Sequence, residues 1–266
     1  MRHGERIDFT FGTWIPYCFD EFNMYHRKDL NMPKSLPNRQ NCPDGWQSDS
    51  PLTNIGIHQA FLTGEALRDA NVKVHHVFCS PSYRCVQTCS SVLKGMNLLD
   101  KMEINIEPGF FEWLAWYPEK LPNWLTTSEL KDAQFNINGN YKPVFQESSL
   151  EDSLKETAEE FYTRNFNVLN EILKNTTGNV LIVAHAATLD TCTRQLIGEP
   201  PRSAYELGKI IHKIPYCSIV NIEQTEALKC EINSSNKSNW TLIEPICPSV
   251  THNKNIRFDW NVLLTK

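Results

Sequence analysis

The five apolar residues Val180–Ala184 follow one another without a polar interruption, and this run constrains the fold more than any other feature of the sequence. An uninterrupted apolar run is typical of a strand buried on both faces of a parallel sheet, since a strand with one wet face alternates apolar and polar residues. Parallel neighbours need crossover helices between them. The sequence has candidate helices over Leu150–Lys174 before the strand and Leu189–Ile197 after it. We therefore predict a parallel α/β sheet that contains Val180–Ala184.

Strands and helices also alternate in the first half of the chain. Thr53 is a candidate helix cap, because its hydroxyl can accept a hydrogen bond from a first-turn N–H group. The predicted elements are a helix over Gly56–Asp69, a strand over Val74–Cys79, a helix over Tyr83–Leu93 and a strand over Ile104–Glu107. Such alternation predicts a three-layer α/β/α sandwich around a mostly parallel sheet. No repeat or low-complexity linker divides the chain, so we predict one domain over residues 1–266, with a long insert over Phe9–Pro51.

Charge and composition exclude several classes of function. The net charge of -5 and the pI near 5.9 argue against a nucleic-acid partner, since proteins that neutralise phosphates are usually basic. No apolar run approaches the ~20 residues of a membrane span, so no membrane partner is expected. The 9 cysteines lack CxxC spacing and are predicted to be reduced thiols of a cytoplasmic protein. The sequence has no zinc motif, Walker loop, dinucleotide fingerprint or GxSxG elbow, and we expect neither a metal nor a cofactor.

Three chemically reactive side chains fall at or near predicted strand ends. His185 follows the Val180–Ala184 strand, Arg84 begins the helix after Val74–Cys79, and His3 lies in the opening segment. In open α/β sheets, ligands bind outside the carboxyl ends of the strands, where helix N-termini gather. Convergence of the three would form one site. Each alone has an ordinary structural explanation, as a hydrogen-bonding histidine, a surface ion pair or a charged terminus.

The sequence around His3 favours an anion-binding nucleophile. Arg2 and Arg6 flank the imidazole, and positive neighbours lower the pKa of a histidine, which keeps it neutral and nucleophilic. The same guanidiniums can bind a phosphate through forked hydrogen bonds. Gly4 lets the backbone approach a bound anion closely.

The other candidate residues have distinct predicted roles. Arg84 is a third phosphate clamp, and a protonated His185, at a helix N-terminus, is a donor to a phosphoryl oxygen. Glu112 lies between aromatic residues, which would raise the pKa of its carboxyl group and suit a general acid. Glu107, before a proline, is interpreted as a surface residue at a strand end.

Together these segments resemble the histidine phosphatase superfamily, which is related to phosphoglycerate mutases. The segments that carry the resemblance are Arg2–Asp8, Arg27–Leu36, Ser80–Thr88, Glu107–Trp113, Leu181–Arg194 and Lys213–Pro215. The resemblance implies a phosphoglycerate mutase-like fold with long inserts that form the pocket wall, catalysis without a metal and, as in the nearest members, a homodimer. It also implies these roles: phosphorylation of His3, phosphoryl binding by Arg2, Arg6, Arg84 and His185, and proton donation by Glu112.

In that superfamily the Arg-His-Gly motif ends a central strand, whereas only Met1 precedes Arg2 here. We therefore expect the chain to start inside a longer protein. An upstream ubiquitin-binding or SH3 module, known in some relatives, stays an open alternative.

Aromatic residues near two of the candidate catalytic segments predict a substrate with a large apolar leaving group. They are Phe9, Phe11, Trp14, Phe110, Phe111, Trp113, Trp116 and Tyr117, and each can equally belong to the core. A steroid phosphate and a phosphotyrosine protein both fit such a wall. Resemblance around Gly12–Pro16 to members that hydrolyse ecdysteroid phosphates favours the steroid. The alternatives are a mutase that returns the phosphoryl group to a small acid and a weakly active signalling module.

Overall fold

A three-stranded parallel sheet lies at the centre of the computed structural model, which describes residues 1–225, 239–248 and 250. Its strands are β1 (His76–Cys79), β2 (Asn105–Ile106) and β3 (Val180–Val183), in the order β2-β1-β3. The register places Phe78 of β1 between Asn105 of β2 and Ile182 of β3. A separate antiparallel pair, which the sequence did not predict, consists of β4 (Asn221–Gln224) and β5 (Trp240–Ile243).

Helices follow the strands in the order expected of an α/β chain. They are α1 (Ile7–Phe11), α2 (Ile15–Cys18), α3 (Asn54–Asp69), α4 (Tyr83–Gly95), α5 (Thr127–Asp132), α6 (Glu147–Glu151), α7 (Ala158–Asn175), α8 (Ala186–Thr191) and α9 (Ala204–Ile211), with 3₁₀ turns at Asp44–Trp46, Pro108–Phe110 and Leu114–Trp116. Over the described residues, no helix is long and apolar enough to cross a membrane.

The elements predicted in the first half of the chain are present with small changes in length. The Thr53 hydroxyl accepts a hydrogen bond from the Gly56 N–H at 2.9 Å, as predicted for a cap, although α3 begins at Asn54. Helix α4 continues two residues past Leu93, and β1 and β2 are shorter than predicted. The insert 9–51 is mostly irregular and contains α2 and a 3₁₀ turn.

Strand β3 is less buried than its apolar sequence predicts. Val183 is fully buried, but residues 180–182 are half-buried, so the prediction of a strand covered on both faces is wrong for them. In the described part of the chain β3 pairs along its length with β1 only. On its other side Met1 and Arg2 pair with the end of β3, where the Met1 amino group donates to the Ile182 carbonyl at 2.7 Å. This short pairing brings the opening segment beside the carboxyl end of the strand.

The single helix predicted over Leu150–Lys174 is two helices, α6 and α7. The Thr157 hydroxyl accepts a hydrogen bond from the Glu160 N–H while the Glu160 carboxylate accepts from the Thr157 N–H, a capping box that starts α7. Leu154, placed on the predicted helical stripe, lies in the connection between the two helices. A capping box breaks the helix because the cap residue itself must be extended.

The helix after β3 also differs from its prediction. It was expected over Leu189–Ile197, but α8 begins at Ala186, directly after His185, and ends at Thr191. The Thr188 hydroxyl accepts a hydrogen bond from the His185 N–H at 3.3 Å, which helps to start the helix there. His185 consequently lies at the junction between β3 and α8.

Helices α3 and α4 pack through glycines. A Cβ atom added at Gly64 would lie 2.2 Å from the Val92 carbonyl oxygen, and one at Gly95 would lie 2.2 Å from the Phe61 carbonyl oxygen. The two backbones therefore touch, which fixes how α4 and the residues at its start are oriented relative to α3. Cys79, Cys85 and Cys89 are buried in the core between these helices and the sheet, and Cys192 is buried in a second cluster; every cysteine in the described residues is a free thiol.

Candidate active site

Hydrogen bonds from backbone N–H groups hold His3 between the end of β3 and helix α4. The His3 N–H donates to the Ala184 carbonyl at 2.9 Å, and the Gly4 N–H donates to the Thr88 hydroxyl of α4 at 3.0 Å. The His3 Nδ1 lies 2.8 Å from the Gly4 carbonyl, which can only accept. Nδ1 therefore carries the proton, and the Nε2 of a neutral imidazole retains its lone pair.

The structure brings together four of the residues that the sequence singled out. The imidazole rings of His3 and His185 are 5.6 Å apart. Arg84 Nη2 lies 2.7 Å from Glu112 Oε2, and His185 Nδ1 lies 3.3 Å from Glu112 Oε1. These side chains come from the opening segment, the start of α4, the turn after β2 and the end of β3, so the carboxyl edge of the sheet gathers them as topology predicted.

The buried position of His3 keeps its imidazole neutral. Burial, and then the positive charges of Arg84 and Arg2, hold the pKa of His3 well below its usual value of 6.5. The direction agrees with the sequence prediction. Burial, however, has a larger effect than the flanking arginines on which that prediction was based.

The prediction of a raised pKa for Glu112 is wrong. Burial among aromatic residues does favour the neutral acid, but the Arg84 guanidinium and His185 outweigh it and hold the pKa of Glu112 well below 4.5. The Tyr117 hydroxyl also donates to Glu112 Oε2 at 2.7 Å. In this unliganded site Glu112 is therefore a carboxylate.

The expectation of a protonated His185 is also wrong for the unliganded site. Burial lowers the pKa of His185 to about 4, against the opposing effect of the Glu112 carboxylate. Both ring nitrogens have neighbours, since Nε2 lies 2.7 Å from the Ser80 hydroxyl. A neutral imidazole still has one N–H group that can donate to an oxygen.

The three candidate arginines differ in how freely they can bind an anion. Arg84 is fully buried, and its Nε and Nη1 have no hydrogen-bond acceptor in the part of the chain that the structure describes. The same holds for Nε of Arg2, whose guanidinium lies 4.2 Å from the ring of Tyr216 and donates to the Ile214 carbonyl. Buried donors without acceptors are costly, so they point to an anion that completes the site.

Arg6 is the least free of the three. Its Nε and Nη2 donate to the two carboxylate oxygens of Asp8 at 2.8 and 2.6 Å, and its guanidinium lies 4.3 Å from the Phe9 ring. Sequence reasoning did not foresee this ion pair. Arg6 therefore adds positive charge close to His3. Its Nε and Nη2, which could bind a phosphate through a forked pair of hydrogen bonds, are bonded to Asp8 instead.

Among the described residues, His3, Glu112 and His185 also form the group whose ligand atoms lie close enough, within 4.8 Å, to hold a metal ion. The guanidinium of Arg84 bonds to that same carboxylate. A positive side chain inside the cluster opposes a cation and favours an anion.

Comparison with known proteins decides the family. Residues 35–236 match the model of the histidine phosphatase superfamily, branch 1. This chain belongs to that superfamily. The matched range begins after His3, so the position of this residue in the site rests on the geometry described above.

Two curated relatives are similar to this chain over nearly its whole length. The ecdysteroid-phosphate phosphatase of Drosophila melanogaster is 58% identical over 263 residues, which are 99% of this chain and 34% of the relative. The ubiquitin-associated and SH3 domain-containing protein B of Mus musculus is 38% identical over 268 residues, 99% of this chain and 40% of the relative. The chain thus spans between about a third and two-fifths of the length of these relatives.

A solved structure supports the fold of this chain. The ecdysone phosphate phosphatase of Bombyx mori, in complex with tungstate, is 34% identical and superposes with a TM-score of 0.81, covering 98% of this chain and 97% of the other. The expected phosphoglycerate mutase-like α/β fold is confirmed.

Several polar contacts in and near the candidate site were not predicted from the sequence. No role was predicted for Ser80, yet its hydroxyl lies 2.7 Å from Nε2 of His185. Tyr117 was counted only as an aromatic, although it contacts Glu112. Glu107 was interpreted as a surface residue, but it is fully buried and accepts hydrogen bonds from the N–H groups of Gly109, Val144 and Phe145 and from the Tyr141 hydroxyl.

The predicted aromatic wall divides into buried residues, exposed residues and two half-buried residues, Trp113 and Tyr117. Phe11, Trp14, Phe110 and Phe111 are buried. Phe9 and Trp116 are 48% and 43% exposed. Phe9 lies against the guanidinium of Arg6, and the ring of Trp116 lies 5.8 Å from that of Trp113.

Proposed function

We propose that this chain is a phosphomonoesterase that works through a phosphohistidine at His3. One observation carries the proposal: a buried, neutral imidazole with a free Nε2 shares a site with Arg84, whose buried Nε and Nη1 have no acceptor in the described structure. A phosphoryl group would satisfy these donors and face the nucleophile. The superfamily to which the chain belongs supports the same chemistry.

In the first step, the Nε2 lone pair of His3 attacks phosphorus and the bond from phosphorus to the leaving oxygen breaks. Glu112 gives its proton to that oxygen. The carboxylate obtains this proton when substrate binds, because a phosphoryl dianion competes for Arg84 and adds negative charge beside Glu112, and both effects raise a carboxyl pKa. Arg2 and Arg84 stabilise the charge on the equatorial oxygens, and His185 donates its N–H to one of them.

In the second step, water attacks the phosphohistidine. The Glu112 carboxylate, left ionised by the first step, takes a proton from this water as general base. The bond between phosphorus and Nε2 breaks, inorganic phosphate leaves and His3 returns to its neutral form. The cycle needs no metal, and we expect activity to persist in EDTA.

For the substrate we propose a steroid phosphate of the ecdysteroid type. The name of the relative that is 58% identical and the name of the solved structure that is 34% identical support it, as do the exposed rings of Phe9 and Trp116. A phosphotyrosine protein is the second substrate that an apolar wall can accept. A homodimer and a cytoplasmic location stay predictions.

The nucleophile is tested with His3→Ala, with His58→Ala, at an exposed position of α3, as the control. We expect the wild type and the control to turn over an aryl phosphate and to form a covalent phosphoenzyme that mass spectrometry detects after rapid quenching. The His3→Ala variant, folded by circular dichroism, should do neither. Turnover by this variant at the wild-type rate would contradict the proposal.

Substrate class is tested by kcat/KM for an ecdysteroid phosphate, a phosphotyrosine peptide and a phosphoglycerate. We expect the steroid phosphate to be preferred, and Trp116→Ala to reduce that preference. Equal values for all three would remove the steroid assignment, and a preference for the phosphoglycerate would favour a mutase.

A further inference from the structure

Arg164 of α7 binds the backbone of the segment that carries Glu112. Its Nη1 donates to the carbonyls of Gly109 at 2.6 Å and Phe111 at 3.2 Å, and its Nη2 donates to the carbonyl of Glu112 itself at 3.2 Å. Its Nε and Nη2 donate to the carboxylate of Glu156 at 2.7 and 2.9 Å. The guanidinium thus makes five hydrogen bonds, as many as it has N–H groups.

Glu156 extends the same contact to the far side of the segment. Its Oε2 accepts from the Leu114 N–H at 3.3 Å, and its backbone carbonyl accepts from the indole N–H of Trp113 at 2.9 Å. The side chains of Arg164 and Glu156 are each 3% exposed. One buried ion pair therefore holds residues 109–114 from both ends.

The segment needs such support because it has little regular structure of its own. Glu112 lies between the 3₁₀ turns Pro108–Phe110 and Leu114–Trp116 and belongs to neither. A buried ion pair is a poor source of net stability, because desolvation offsets the attraction between the charges. Its five directed bonds do fix geometry, and a general acid must stay within hydrogen-bond reach of the leaving oxygen.

From this geometry we infer that the pair Arg164–Glu156 positions Glu112 for proton transfer to the leaving group. The inference rests on the proposed function. Arg164 is a positioning residue that acts through Glu112. Loss of Arg164 should therefore lower kcat/KM for substrates whose leaving group needs a proton. It should change kcat/KM little for substrates whose leaving group departs without one.

The test compares two substrates in the Arg164→Lys variant. Lysine keeps the charge beside Glu156 but has three donors on a single nitrogen, so it cannot reproduce the fork. For a simple alkyl phosphate we expect kcat/KM, which reports the phosphorylation step, to fall about 10- to 100-fold, and for 2,4-dinitrophenyl phosphate by less than about threefold. In a Glu112→Gln background the same substitution should cause no further loss on the alkyl phosphate.

The control is Arg68→Lys in α3, whose guanidinium likewise donates to a carbonyl, that of Gly95, and pairs with Asp69. It should leave both substrates unaffected. Glu156→Gln provides a second, milder variant should Arg164→Lys fail to fold, and the same dependence on leaving group is expected from it. Circular dichroism and thermal unfolding check the fold of each variant.

Equal losses on the two substrates, or a further loss in the Glu112→Gln background, would show a merely structural role and overturn the inference. A wild-type protein that hydrolyses neither phosphate would instead remove the proposed function, and this inference with it. Wild-type turnover that His3→Ala abolishes, combined with equal losses in Arg164→Lys, would overturn the positioning role alone.

Discussion

Glu112 competes with a substrate for Arg84, since its carboxylate bonds to the guanidinium that a phosphoryl group would use. Tyr117 offers Glu112 a different partner, outside that competition. When a bound phosphoryl group takes Nε and Nη1 of Arg84 and weakens the hold of this guanidinium on Glu112, the bond from Tyr117 can remain. We therefore expect Tyr117 to influence the pKa of Glu112, the proposed acid, when a phosphoryl group is bound.

The role of Tyr117 can be tested with Tyr117→Phe. The hydroxyl donates to the ionised form of Glu112, and a donor of this kind lowers a carboxyl pKa, so its removal should raise the pKa of Glu112. The acid then keeps its proton to higher pH, and the alkaline limb of kcat/KM for an alkyl phosphate should move to higher pH. The profile for 2,4-dinitrophenyl phosphate, which needs no acid, should keep its alkaline limb.

Tyr141→Phe is the matched control, because the Tyr141 hydroxyl donates at 2.6 Å to another buried carboxylate, that of Glu107. The alkaline limb should be unchanged in this variant. An alkaline limb that moves to lower pH in Tyr117→Phe, or that moves equally in both variants, would contradict the role given to Tyr117.

Residue identities at the site were more predictable than residue charges. Glu112 was singled out because it sits between aromatic residues, and those neighbours are local in sequence. Arg84, which reverses the expected direction of its pKa, lies 28 residues earlier and reaches it only through the fold. Neighbours in sequence indicate that a carboxyl group will be buried. They do not indicate an ion-pair partner that is far away in sequence and close only in the folded structure.

At the scale of elements, glycines set the approach of α3 to the opening segment. A Cβ atom at Gly56 would lie 2.3 Å from the Glu5 carbonyl oxygen, and one at Gly4 would lie 2.5 Å from the Gly56 carbonyl oxygen. The first turn of α3 therefore packs directly on the backbone that follows His3. This contact couples a helix end to the position of the candidate nucleophile.

We predict that Gly56→Ala lowers the free energy of unfolding by about 1–3 kcal/mol, because the nearest neighbours of the added Cβ atom are backbone atoms of Glu5, which must shift to make room. The same shift displaces His3, so kcat/KM should fall as well. Chemical denaturation and steady-state kinetics measure the two effects.

Gly208→Ala in α9 is the control for that substitution. Nothing lies within 4 Å of a Cβ atom there, so the better helix propensity of alanine should raise the free energy of unfolding by up to about 1 kcal/mol. Wild-type stability and activity in Gly56→Ala would show that the contact between α3 and the opening segment is not tight.

Element boundaries were predictable where a cap was recognised. Thr53 was identified as a cap, and α3 begins beside it. Thr157 and Glu160 have the spacing of a capping box, but the prediction placed both inside one long helix. It therefore did not include the break before α7. The apolar stripe continues across the break because both helices pack on buried residues, so periodicity alone hides the cap.

At the scale of the whole molecule, two buried neutral histidines make folding sensitive to pH. In the unfolded chain a histidine takes up a proton as the pH falls through about 6.5, whereas folded His185 resists protonation until about pH 4 and His3 is shifted in the same direction. The unfolded state therefore binds more protons in this window. Stability should fall as the pH is lowered.

Between pH 7 and pH 5 we expect the free energy of unfolding to drop by about 2 kcal/mol from His185 alone. Urea denaturation across this range measures it. The slope should flatten in His185→Gln and stay unchanged in His58→Gln, whose histidine is exposed. An identical slope in His185→Gln and the wild type would contradict the assigned cause.

The overall architecture was predictable because it follows from few rules. The sequence predicts an apolar strand with helices before and after it, and ligands bind at the carboxyl ends of such strands. These two rules predict that His185, Arg84 and His3 lie at one edge of the sheet. The ion pair between Arg6 and Asp8 and the five bonds of Arg164 were not predictable, since each depends on side-chain directions that no periodicity encodes.

The buried donors of Arg84 and Arg2 have one more consequence, which concerns the end of the catalytic cycle. Inorganic phosphate presents the same oxygens to these donors as the substrate does, so contacts that capture the substrate also retain the product. These contacts do not distinguish substrate from inorganic phosphate. Phosphate must therefore leave before the next substrate molecule can bind. Under the proposed function, turnover should slow as inorganic phosphate accumulates, and contacts with the leaving group must distinguish bound substrate from bound product.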